Sequence, residues 1–107
     1  MSIKFISIRM PIRLVSEANA HEHWRKRAKR AKDQRGTALA MMICSGELVP
    51  PLPLLVSICR VAPRRLDSDN LAGAAKHARD GVADWLGIDD ADPRVTWCVS
   101  QRHPRRR

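Results

Sequence analysis

Three prolines within four residues, Pro50-Pro51-Leu52-Pro53, bar a helix from the middle of this 107-residue chain. Proline lacks the amide hydrogen that a helix needs, and its ring collides with the preceding turn. The block is therefore a connector, and regular structure has to lie on either side of it. Upstream, His21 to about Ser45 carries helical spacing. Trp24, Ala28, Ala31, Ala38 and Met42 recur at intervals of 3, 4 and 7, and Leu39 and Ile43 widen the stripe late. Asn19 is placed to cap this helix and Gly46 to close it, while Gly36 weakens its middle enough for a bend or break. Ahead of it, Ile3 to Arg13 reads as a strand: Ile6, Ile8 and Met10 alternate with Ser7 and Arg9, and Pro11 suits an edge or a strand end.

Downstream, Leu54 to Val61 is a near-continuous apolar run interrupted by Ser57 and Arg60, the pattern of a strand covered on both faces. Leu71 to Leu86 reads as a second helix. Leu71, Ala74, Ala75, Ala78, Val82, Trp85 and Leu86 point inward, Lys76, Arg79, Asp80 and Ala83 outward, and Gly87 closes it. Asp89 to Pro93 is a loop and Arg94 to Ser100 a third strand. The order β-α-β-α-β predicts one α+β (or α/β) domain, a small mixed β-sheet with two helices, followed by a flexible basic tail at 102–107.

Composition narrows the class. Hydrophobic residues make up 44%, enough for a core, yet no apolar run is nearly long enough to span a bilayer. No charged segment leads into an apolar one in the manner of a secretory signal. Cys44, Cys59 and Cys98 are odd in number and never in C-x-x-C spacing, so neither a disulfide framework nor a zinc knuckle is expected and a reducing cytoplasm is the default setting. None has a base nearby in sequence, and their apolar neighbours argue against a cysteine nucleophile.

Twenty Lys and Arg against eleven Asp and Glu give a net charge of +9. Such a body attracts polyanions, and nucleic acid gains most from the contact because each neutralised phosphate releases a condensed counterion. Arg25, Lys26, Arg27, Lys29, Arg30, Lys32 and Arg35 crowd one stretch against the single acid Asp33, and Arg102, Arg105, Arg106 and Arg107 close the chain. A solvated helix face has the same appearance. A membrane-surface helix is not expected, since no bulky apolar residues oppose the charges. His21 and His23 form an H-x-H, but on a helix the two point about 200° apart. Phosphate contact or capping of the helix start is the expected role. Trp24 and Trp85 fit the apolar stripes as core, and Trp97 fits core or an interface between subunits.

The acids gather elsewhere: Asp67, Asp69, Asp80, Asp84, Asp89, Asp90 and Asp92. Asp67 and Asp69, two apart in extended chain, leave it on one side. Asp89, Asp90 and Asp92 follow the second helix, which at 16 residues separates the two groups by roughly 24 Å. They meet only if that helix is shorter or bent, if the loop folds back, or if two chains combine. Gathered carboxylates suit a hard cation such as Mg²⁺, which beside a phosphodiester activates water and neutralises the leaving oxygen. Taken singly, Asp69 is equally a helix cap, Asp67 a partner for Arg64 or Arg65, and the later three a polar turn.

Asp67-Ser68-Asp69-Asn70-Leu71, a helix bearing Lys76 and Asp80, and Trp85-Leu86-Gly87-Ile88-Asp89-Asp90 together resemble the core of the RusA family of Holliday junction resolvases, found in phages, prophages and bacteria. The likeness covers roughly residues 16 to 97. It implies a magnesium-dependent homodimer, with Mn²⁺ as a substitute, that nicks a four-way DNA junction symmetrically in recombination and repair. The family's metal-binding aspartates fall on Asp67, Asp69 and Asp90, its asparagine on Asn70. Its catalytic lysine lies four residues after the second aspartate, where this chain has Gly73. Lys76, seven residues on, shares that helical face and is the candidate replacement. Asp80 and Asp89 would support the ligands. Arg25, Lys26, Arg27, Lys29, Arg30 and Lys32, with Arg64 and Arg65, would track the junction's backbones without reading bases. The alternatives are a non-catalytic nucleic-acid-binding protein and a small RNA- or ribosome-associated one.

Overall fold

The computed structural model describes residues 5–17 and 22–104. Its order is α1 (Trp24–Cys44), β1 (Leu54–Val61), α2 (Ser68–Ala74), α3 (Lys76–Leu86) and β2 (Val95–Arg102). β1 and β2 pair in parallel, from Leu54 opposite Val95 to Val61 opposite Arg102. Parallel neighbours need a crossover, which α2 and α3 supply. The result is an α+β domain with three helices on a two-stranded parallel sheet, rather than the expected mixed sheet with two helices. Among the described residues no helix is long and apolar enough to cross a membrane.

The expected first strand is extended and keeps its alternation: Ile6, Ile8, Met10 and Ile12 are half-buried, with exposed residues between them. Among the described residues, however, it forms no ladder. Pro11 has no amide hydrogen, and side chains take the carbonyls that a neighbouring strand would use: Gln34 Nε2 donates to Arg13 O at 2.8 Å and Arg60 Nε to Leu14 O at 3.1 Å. Leu14 completes a core with Ala74, Ala75 and Ala78, against which Ile12, Ile58, Leu66 and Val99 pack.

β1 was expected to be covered on both faces, but it alternates. Leu54, Val56, Ile58 and Arg60 are half-buried, while Leu55 is 70% exposed. With the helices on one side of two strands, the other face remains open. All three cysteines are likewise free and exposed, not held in apolar surroundings. β2 runs two residues past the expected end, so Arg102 is strand rather than tail. Ile3 and Lys4 of the expected first strand, Asn19, His21 and residues 105–107 lie outside the described residues.

α1 passes unbroken through Gly36. His23 caps it, Nδ1 accepting from the Arg25 amide at 3.1 Å, and Gly46 and Gly87 take left-handed φ values of 74° and 72° after α1 and α3. Of the expected stripe only Ala38 and Met42 are buried, joined by Gln34, which the stripe did not include. Trp24 is 65% exposed, Ile43 61%, and Ala28 is exposed too. The cause is length. The partner helix α3 has 11 residues, roughly 16 Å, and cannot cover the 21 residues of α1, roughly 31 Å. Ala83, expected outside, is buried, and Trp85 is half-buried.

Arg30 joins the chain ahead of α1 to the helix. Its Nε and Nη2 donate to Glu17 at 3.0 and 2.5 Å, and Nη2 also meets Glu22. His77 Nε2 lies 3.8 Å from Glu17, so α3 joins the group. The hydrogen bond from Arg30 holds the Glu17 carboxyl below its ordinary value near 4.5, and does the same to Glu22. A depressed folded-state value contributes stability that is present above the unfolded value and lost as pH falls through the folded one. The thermal stability of the native chain is therefore expected to fall steadily as pH drops below 4.5. Arg30→Ala should flatten that acid limb; an unchanged pH profile in the variant would contradict the linkage.

Candidate functional site

Asp67 occupies the N-cap position of α2, with φ −61° and ψ 155°, and its carbonyl accepts from Leu71 N at 2.8 Å. Its carboxylate makes no capping bond, and Asp69, in the first turn, does not cap either. Both side chains are exposed, and among the described residues neither has a hydrogen-bond or ion-pair partner, Arg64 and Arg65 included. Their place is set one residue earlier. Gln101 on β2 grips Leu66 twice, Oε1 accepting from its N–H at 3.0 Å and Nε2 donating to its carbonyl at 2.7 Å. Asn70 is half-buried in the turn that follows.

The expected 16-residue helix is two helices. Ala75, at φ −85° and ψ −8°, ends α2 and starts α3. Beyond Gly87 the chain turns back. Asp89 Oδ1 accepts from Ala91 N at 2.8 Å and Asp92 Oδ1 from Arg94 N at 2.9 Å, so these two acids build the turn. The Arg94 guanidinium also grips Asp92, which holds that carboxyl down at about 2.

The turn delivers Asp90 to the start of α3. Lys76 Nζ donates to Asp90 Oδ2 at 3.1 Å and to Asp80 Oδ1 at 2.8 Å. Two donors converge on the Asp90 carbonyl, Arg79 Nη2 and Trp97 Nε1, each at 3.0 Å. The Arg79 guanidinium also lies 4.8 Å from the centroid of the Trp97 ring. Hydrogen bonding to Asp80 and then Asp90 raises the Lys76 ammonium above its usual range, and Lys76 in turn lowers Asp90. At neutral pH the pair is an ammonium against a carboxylate. Lys76, Asp80, Asp89 and Asp90, with Arg35 and Asp84, line a pocket of about 250 Å³. Arg35 closes one side through two 2.7 Å bonds to Asp84, joining α1 to α3.

The structure thus unites Asp90, Lys76, Asp80 and Asp89, and leaves Asp67 and Asp69 outside that pocket, at the far end of the short helix α2. Among the described residues no three His, Cys, Asp or Glu side chains are grouped to hold one metal ion. Magnesium, however, is commonly held by one or two carboxylates and completed by substrate phosphates and water. Helix begins at Ser68, so Asp69 lies in the first turn of α2 and not, as expected, in extended chain beside Asp67; the two unpartnered carboxylates meet that requirement in kind and number.

Of the expected DNA contacts, Arg25, Lys26, Arg27, Lys29 and Lys32 are exposed along α1, with Lys29 bonded to Asp33 at 2.7 Å. Arg64 and Arg65 are exposed beside Asp67 in sequence. Arg30 is not a free contact, since Glu17 and Glu22 engage it. Arg35, Arg79, Trp97 and Gln101 went unnoticed in the sequence as site residues, because each acts on a partner distant along the chain.

Trp97→Phe keeps the ring beneath Arg79 and deletes one donor to Asp90. It is expected to cost about 1 kcal/mol. Amide exchange should quicken at residues 88–92 and not in α1; uniform acceleration would mean that the indole hydrogen bond does not hold this turn.

No family model and no solved structure matches the chain. A protein of Xylella fastidiosa (strain Temecula1 / ATCC 700964), described as uncharacterized, is 41% identical over 78 residues, an alignment that takes in 67% of this chain and 51% of that protein. The chain spans about half the length of that relative.

Proposed function

We propose that the chain is a magnesium-dependent, structure-specific endodeoxyribonuclease of the RusA type that nicks four-way junctions and other branched DNA, acting as a homodimer in the cytoplasm. The observation that carries this reading is the return of Asp90 to within 3.1 Å of Lys76, 14 residues earlier. The Asp-Asp loop and the helix that follows Asp67-x-Asp69-Asn70 thereby come together, as a shared catalytic centre requires. Asp67 and Asp69 would hold the Mg²⁺, while Asp90, the third carboxylate of the resemblance, is engaged by Lys76 outside that pair. Bound there, the ion would acidify an attacking water and neutralise charge on the phosphodiester. Lys76, kept protonated by Asp80 and Asp90, would offset negative charge building on the phosphoryl oxygens. The exposed cations of α1 would bind backbone phosphates whatever the sequence.

A second reading rests on the position of Asp67 and Asp69 outside the Lys76–Asp90 pocket: a nucleic-acid-binding protein without catalysis. A synthetic four-way junction separates the two. Paired nicks with Mg²⁺ or Mn²⁺, and none in EDTA, support the nuclease. Junction binding without metal-dependent nicking supports the alternative.

A further inference from the structure

Trp24 is the largest side chain of α1, and 65% of it is exposed. It is nonetheless held in place. The ring of His23, itself fixed by its bond to the Arg25 amide, lies 5.5 Å from the indole, centroid to centroid, with 31° between the planes. The Arg25 guanidinium sits 5.4 Å from the indole centroid. A flat apolar surface therefore stands at the head of α1 between an imidazole and a guanidinium, and exposed Lys26, Lys29 and Lys32 follow it along the helix.

We infer that Trp24, flanked by His23 and Arg25, is a stacking platform for an unpaired DNA base, at a single strand or a branch point. An indole face stacks on any base, while neighbouring cations meet the phosphates on either side. Duplex bases already stack on one another and offer no free face. A lipid surface would need further bulky apolar residues along the same face, where α1 has Arg27 and Ala28 three and four residues on. The inference rests on the nucleic-acid half of the proposed function and not on cleavage.

Fluorescence anisotropy in EDTA tests it, with a labelled oligo-dT of about 15 nucleotides and a labelled duplex of the same length, near the upper site size of a single-strand groove. Trp24→Ala should weaken oligo-dT binding about tenfold and duplex binding by less than about twofold. Its salt dependence should stay that of the native chain, because no phosphate contact is lost. Trp24→Phe should recover most of the affinity. Equal losses on both probes, no loss on oligo-dT, no recovery with Phe, or a native chain that binds neither probe would each overturn the inference. Failure of the nuclease reading shows itself separately, as missing Mg²⁺-dependent nicks, and leaves this metal-free titration unaffected.

Discussion

Asp69→Asn is expected to lower Mg²⁺-dependent nicking of a four-way junction by on the order of a hundredfold or more, the scale on which a single well-placed electrostatic group acts. Asp69 is exposed in the first turn of α2 and has no partner there, so an isosteric amide disturbs no contact in the fold. The melting temperature should be that of the native chain. Junction binding should hold or tighten, because the change removes a negative charge from a surface that meets phosphates. Asp67→Asn should behave alike, since the proposed ion takes an oxygen from each of the two carboxylates. Cleavage that survives in either variant would remove that residue from the mechanism. Loss of nicking together with loss of folding would show that the carboxylate is structural.

Gly81→Ala is expected to destabilise the domain by about 2 kcal/mol, as overpacking does when the obstructing atoms cannot yield. The sign is the instructive part. Alanine is favoured over glycine in a helix interior by about 1 kcal/mol, so local propensity alone predicts a gain. At Gly81, however, α1 and α3 cross closely. A methyl group there would fall 2.7 Å from Ala38 Cβ and nearer still to the Arg35 carbonyl oxygen, which is backbone and cannot rotate aside. Calorimetry should show a fall in melting temperature of roughly 10 °C for a domain of this size. Gly36→Ala supplies the contrast: it lies inside α1, exposed, with nothing within 4 Å of the added methyl. There propensity is unopposed, and a rise of roughly 3–6 °C is expected. Gains at both positions would mean that α1 and α3 stand farther apart than described.

What the sequence made legible follows from range. Local rules placed β1 at Leu54–Val61, the close of α1 before Gly46 and the end of α3 at Gly87, because proline and left-handed glycine act within a few residues. Burial was less legible. Helical spacing marks a face that can be buried without saying how much of it finds a partner. Trp24 lies on such a face, yet the 11-residue α3 cannot cover the whole 21-residue α1 and Trp24 stays exposed. The alternation at Ile6, Ile8 and Met10 was real, yet whether an extended segment joins a ladder depends on distant donors, here Gln34 and Arg60.

The site divides in the same way. Folding back of the Asp89–Asp92 loop was one of the routes by which the spacing let the two acidic groups meet, and the break at Ala75 another; both occur, yet they bring Asp90 to Lys76 and leave Asp67 and Asp69 outside that pocket. The grip of Arg79 and Trp97 on the Asp90 carbonyl was invisible, because nothing in a linear pattern ties a β2 indole to a main-chain oxygen seven residues earlier.

The central claim is that Asp67 and Asp69 hold a divalent ion that serves the Lys76–Asp90 centre. Anomalous diffraction from crystals grown with Mn²⁺ tests it most directly. The account predicts a peak at roughly 2.1 Å from carboxylate oxygens of both Asp67 and Asp69, the bond length of a hard cation to oxygen. No peak at this pair, or a peak only at other carboxylates, would contradict it.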